Sequence, residues 1–104
     1  MSALIIILPR KLTSRAVARH LVPGSEGSQD IVLNASETTR IAPAAADSLV
    51  QSLLRAAPQR VIVVNATDTA QRALQVVHRA RATPERSFLL TFRTLPAEAL
   101  LRAV

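Results

Sequence analysis

Ile31–Leu54 reads IVLNASETTRIAPAAADSLVQSLL. It opens on a short apolar run of strand length and passes through a polar turn. It then continues into Ala46, Leu49, Val50, Leu53 and Leu54, spaced i, i+3, i+4, i+7 and i+8. That spacing places all five apolar side chains on one stripe of a helix. A buried strand handing over to an amphipathic helix is half of a β-α-β unit, and function in such sheets collects where strand meets helix. Polar or glycine-rich residues are expected at that corner. Here it reads Ala42-Pro43-Ala44-Ala45.

The same alternation extends in both directions. Apolar runs recur at Leu4–Leu8, Ile31–Leu33, Val61–Val64 and Phe88–Phe92, short and rich in Ile and Val. Their lack of interruption suits strands covered on both faces. Helical patterns separate them. Thr13 or Ser14 can cap a first helix through Ala16, Val17 and Leu21, which stops at Val22-Pro23-Gly24. Ala70, Ala73, Leu74 and Val77 form another stripe, with Asp68 as its N-cap and Gln71 three residues on. Pro96 can open a last helix, AEALLRAV. Strands joined by crossover helices run parallel with right-handed connections. The expected fold is α/β: a single-layer sheet of about four to five mostly parallel strands with helices packed on it. Residues 1–104 read as one domain, and Pro23–Gln29, which holds both glycines, as its flexible connection.

Composition bounds the chemistry. A chain of 104 residues buries roughly 65% of its unfolded surface, enough to fold without disulfides or metal. It contains no cysteine, so thiolate nucleophiles, thiolate metal sites and redox pairs are excluded. The N-terminal apolar run is too short for a membrane span or signal core, and Arg10 and Lys11 follow it instead of preceding it. The chain reads as soluble and cytoplasmic, with no transmembrane segment.

The net charge of +6 is carried by twelve arginines and one lysine. Such a surface suits anionic partners, but an Arg-rich, Ala-rich, Lys-poor composition also follows from a GC-rich genome. Nucleic-acid binding calls for aromatic stacking platforms or a compact basic motif. The two phenylalanines both sit in one apolar run, so nucleic acid is not the expected partner.

The strand ends offer no catalytic group. Asn34 stands where a receiver domain would carry an aspartate, and no acidic pair follows the first strand. A phosphate loop needs glycines at the strand-helix turn, and both lie elsewhere. His20 and His78 are too far apart in sequence to suggest a metal site and read as solvated helix-edge residues. No catalytic residue, metal ligand or cofactor is expected.

The order of segments resembles the STAS domain family, named for sulfate transporters and anti-sigma factor antagonists. IIILPRKLTSRAVARHL is similar to the family's opening strand and first helix, and DIVLNASETTRI to its central strand. RVIVVNATDTAQRALQVV is similar to the next strand, Asn-containing turn and helix, and SFLLTFRTLPAEALLRAV to the closing strand and helix. Regulatory members carry Asp-Ser-Ser/Thr-Gly-Leu at the turn, where a partner kinase phosphorylates a hydroxyl to switch off binding. The resemblance places Ala42, Pro43, Ala44 and Ala45 on that motif, with acid, hydroxyls and glycine all absent.

The resemblance implies a non-catalytic regulatory or accessory domain that binds a protein: an anti-sigma or other GHKL-type kinase, or a chemotaxis-type signalling protein. An accessory subunit docking on the ATPase of a lipid-transport ABC complex is the alternative. A basic domain binding nucleic acid or anionic lipid is an alternative of another class, and weak self-association stays open. The expected docking face comprises Ser36, Thr38, Thr39 and Arg40 of the turn. Asp47, Ser48 and Gln51 join it, turned towards solvent opposite the helix stripe. Ser36, Thr38, Thr39 and Ser48 are also candidate phosphate acceptors, with turn-forming and helix-surface roles as the plainer reading.

Overall fold

The computed structural model describes residues 3–23 and 30–96. Their elements run β1 (Ala3–Ile7), β2 (Lys11–Leu12), α1 (Arg15–Leu21), β3 (Asp30–Asn34), β4 (Arg40–Ile41), α2 (Pro43–Ala56), β5 (Arg60–Val64), α3 (Asp68–Arg81) and β6 (Leu89–Arg93). Four strands form an all-parallel sheet in the order β1-β3-β5-β6. The expected α/β layer is therefore present. Residues 24–29 of the glycine-bearing connection and the AEALLRAV helix lie outside the described residues.

The strand order explains how the helices sit. Each crossover steps to the next strand in the same direction, and parallel crossovers share one hand, so every helix lands on the same side of the sheet. α2 lies between α1 and α3 and contacts both. Ile31, Leu33, Val61 and Val63 point into this side and are fully buried with Ala46, Leu49, Val50 and Leu53 of α2. Burying each large aliphatic side chain stabilises the fold by about 1.5–3 kcal/mol.

Strands covered on both faces were expected, and the described residues correct this. Ile5, Val32 and Ile62 share a row on the far side and are only half-buried. Ile7 in the next row is 60% exposed, although Val64 in that row is buried. All three described helices lie on the other side, so alternation is present in burial but hidden in sequence by apolar residues on both faces.

Local chemistry sets the helix limits. Ser14 caps α1 by accepting from the Val17 N–H. α3 begins one residue away from the expected cap: Thr67 is the N-cap, accepting from Ala70, and Asp68 is the first helical residue. Gln71 donates instead to the Ala66 carbonyl. α2 starts with Pro43 at its first position, where the missing N–H costs nothing, and Ala42 supplies no side-chain cap. It ends at Ala57 in the left-handed region, φ 54°, whose N–H closes onto the carbonyls of Leu53 and Leu54. The chain's two glycines lie elsewhere, so alanine takes a position that glycine usually fills.

Candidate functional site

The carboxyl ends of β1, β3, β5 and β6 meet at one corner with the entrance of α2. β2 and β4, each of two residues, pair there in a small parallel ladder that the sequence reading lacked. The Ala42 N–H donates to the Leu12 carbonyl at 2.8 Å, and the Thr39 N–H to Arg10 at the same distance. The turn before α2 is thus anchored on the segment that follows β1.

A hydrogen-bonded chain ties the other strand ends together. Asn34 Oδ1 accepts from the Ser36 N–H at 3.0 Å, closing an Asx turn, and from Ser36 Oγ at 2.6 Å. Asn65 Nδ2 donates to Ser36 Oγ at 3.3 Å and to the Leu95 carbonyl at 2.9 Å, while its Oδ1 accepts from the Leu95 N–H at 2.7 Å. Asn65 occupies the left-handed region at φ 57°, which Asn tolerates better than most residues. One side chain thereby links the ends of β3, β5 and β6. Its signal in the sequence was an Asn closing a strand in a chain with almost no glycine.

Ser36 donates to an amide oxygen, which takes no proton, so its hydroxyl is not an activated nucleophile. Among the described residues no three His, Cys, Asp or Glu side chains come together in a way that could hold a metal. Beside the turn lies a recess of about 320 Å3 lined by Thr39, Arg40, Ile41, Thr67, Thr69 and Ala70. It offers hydroxyls and one guanidinium around an apolar floor. Thr67 and Thr69 were not anticipated, because nothing in the sequence sets the start of α3 beside β4.

The structure divides the expected docking residues. Pro43 is exposed and Ala44 half-buried, but Ala45 is fully buried and Ala42 packs partly against the core. Ser36, Thr39 and Arg40 are exposed. Thr38 is buried, its hydroxyl donating to the Pro9 carbonyl at 2.9 Å.

Asp47, Ser48 and Gln51 were expected to face solvent, and that is corrected. α2 is the middle helix, so its flanks are covered by α1 and α3 as its stripe is by the sheet. Ser48 is buried and accepts from Arg15 at 3.2 Å. Asp47 is half-buried, bonded by Arg15 of α1, by Arg81 of α3 and by Gln51. The hydrogen bonds from Arg81 are the chief reason its carboxyl is held below the usual range, with those from Gln51 and Arg15 adding to the effect and burial opposing it. These residues hold the helix layer together and sit back from the corner.

The histidines also separate. His20 is exposed as expected, its Nδ1 2.6 Å from the Ala16 carbonyl. His78 is half-buried against Phe88, ring centroids 4.5 Å apart, with Nε2 buried and lacking a partner among the described residues.

No family model matches this chain, and neither a curated protein nor a solved structure matches it. Among the described residues no helix is long and apolar enough to cross a membrane.

Proposed function

We propose that this chain is a STAS-like regulatory or accessory domain, cytoplasmic and non-catalytic, that binds a protein partner at the entrance of α2. Its partner is an anti-sigma or GHKL-type kinase, or a chemotaxis-type signalling protein. The observation that carries the reading is the open, hydroxyl-free start of α2. Pro43 and Ala44 reach solvent there beside the Thr39–Arg40 recess, on a turn anchored to the β1 segment.

Phosphorylation of a docking corner adds nearly two negative charges and a hydration shell that the partner must strip. An Ala-Pro-Ala entrance has no acceptor on the helix turn itself, so that turn stays in the state that can be desolvated; exposed Ser36 and Thr39 beside it are the remaining candidate acceptors. The partner's rim would cover Pro43 and Ala44, and a side chain bearing an acceptor would enter the recess towards Arg40 and the threonine hydroxyls. The strand-end hydrogen bonds fix this surface before binding, which reduces the ordering cost of association.

The test is photocrosslinking in native extract with a photoreactive residue at Ala44, compared with the same residue at Gln59 on the opposite end of the sheet. The proposal expects one stoichiometric protein adduct from position 44 that position 59 does not give. Equal adducts from both positions, or none from position 44, contradict it.

A further inference from the structure

A second recess lies away from this corner, where the last turns of α2 and α3 meet the Thr83–Arg86 turn. It measures about 250 Å3 and is lined by Gln51, Leu54, Arg55, Arg81, Thr83 and Arg86. Three arginines are among the residues that line it, and no acidic residue is. Arg55 and Arg81 stand in the last turns of their helices, where a cation complements the helix dipole. Arg86 is on no helix, so that explanation does not reach it.

The three groups are held on rigid supports with donors to spare. A guanidinium carries five N–H donors. Arg81 gives its Nε and Nη2 to Asp47, at 2.9 and 3.3 Å, leaving three N–H groups. Arg55 gives one, from Nη2, to Ser52 Oγ at 3.2 Å. The backbone of Arg86 is pinned by reciprocal bonds with Thr83, 3.1 and 2.9 Å. Its guanidinium has no hydrogen bond or ion pair among the described residues. Arg81 is already paired with Asp47, whereas Arg55 and Arg86 have no carboxylate partner among the described residues; a multiply charged oxyanion would compensate those two charges while accepting several N–H bonds at once.

We propose that this recess binds a phosphomonoester, with Arg55, Arg81 and Arg86 on the phosphate oxygens and Thr83 and Gln51 as neutral donors. The volume suits a phosphate carrying a small body, either a soluble metabolite or the headgroup of a phosphatidic acid-type lipid. This inference does not depend on the α2 entrance.

The test is titration with glycerol 3-phosphate at constant ionic strength, followed by calorimetry, with parallel sedimentation on vesicles of phosphatidic acid or phosphatidylcholine. Arg86→Gln is the informative variant, because the Arg86 guanidinium makes no hydrogen bond or ion pair among the described residues; Arg19→Gln on α1 controls for net charge, and thermal unfolding checks both. The proposal expects saturable binding that Arg86→Gln weakens at least tenfold and Arg19→Gln leaves unchanged. Arg86-dependent sedimentation with phosphatidic acid alone makes a headgroup the source, and a response only to the soluble ester makes it a metabolite. Either supports the site. Absence of saturable binding to both probes, or equal losses in the two variants, overturns it.

Discussion

Arg81 at the end of α3 donates to both carboxylate oxygens of Asp47 in the middle of α2, at 2.9 and 3.3 Å. Arg15 of α1 reaches the same carboxylate from the other side at 3.2 Å. One acid therefore joins three helices, beside the Arg15–Ser48 bond and the apolar contacts of the helix layer. Its carboxyl titrates below the usual range because Arg81, Gln51 and Arg15 favour the charged form.

A carboxyl lowered on folding contributes stability that is fully present above its unfolded pKa, about 4, and is lost as pH falls through the lower folded value. Asp47→Asn should reduce stability at pH 7 by ~1 kcal/mol, the range of partly exposed pairs. It should also flatten the loss of stability that the parent shows below about pH 4. Urea unfolding of both proteins across that range checks this; parallel acid profiles would contradict it.

Ala57 pays for a left-handed backbone with a Cβ, a conformation that costs an L-residue about 1–2 kcal/mol. Ala57→Gly should therefore raise stability by ~0.5–1 kcal/mol, since the extra entropy of glycine in the unfolded chain offsets part of the relief. A fall in the urea midpoint would show that the strain is absent.

Asn65 joins two roles in one residue: left-handed φ and paired hydrogen bonds to Leu95. Asn65→Ala loses both and should cost ~2–4 kcal/mol, about 1 for each bond plus the backbone term. Asn65→Gly keeps the backbone and should recover ~1 kcal/mol of that. If the two variants are equally unstable, the backbone term is negligible.

Thr38 and Ser48 are buried with their hydroxyls engaged, so a serine/threonine kinase acting on the folded protein should leave both unmodified. Mass spectrometry after exhaustive treatment checks this. Stoichiometric phosphate on either would require opening of the turn or of the helix layer.

The fold was legible because its strands and helices carry strong, distinct patterns. The stripe Ala46, Leu49, Val50, Leu53 and Leu54 faces the sheet as read. What that pattern does not carry is lateral position. It says which side of α2 meets the sheet, not that α1 and α3 cover its flanks, so Asp47, Ser48 and Gln51 were misread as solvent-facing. The side of the sheet away from the three described helices was hidden similarly, because Ile5, Val32 and Ile62 are as apolar as their buried neighbours. β2 and β4 are too short for any period. The α2 entrance was legible through Pro43, whereas Arg55, Arg81 and Arg86 meet only through the fold.

The docking claim turns on Ala44. Ala44→Glu places a carboxylate in the first turn of α2, where the helix dipole favours it by about 0.3–1 kcal/mol, so the fold should hold. In an interface the same unpaired carboxylate costs several kcal/mol. The most direct measurement is the affinity of Ala44→Glu for the partner captured at position 44, beside Gln59→Glu as control and with thermal unfolding of both. The account predicts native unfolding for both variants, a loss of affinity greater than about a hundredfold (~2.7 kcal/mol) for Ala44→Glu, and none for Gln59→Glu. Unchanged affinity of a folded Ala44→Glu would contradict it and move the binding surface to another face.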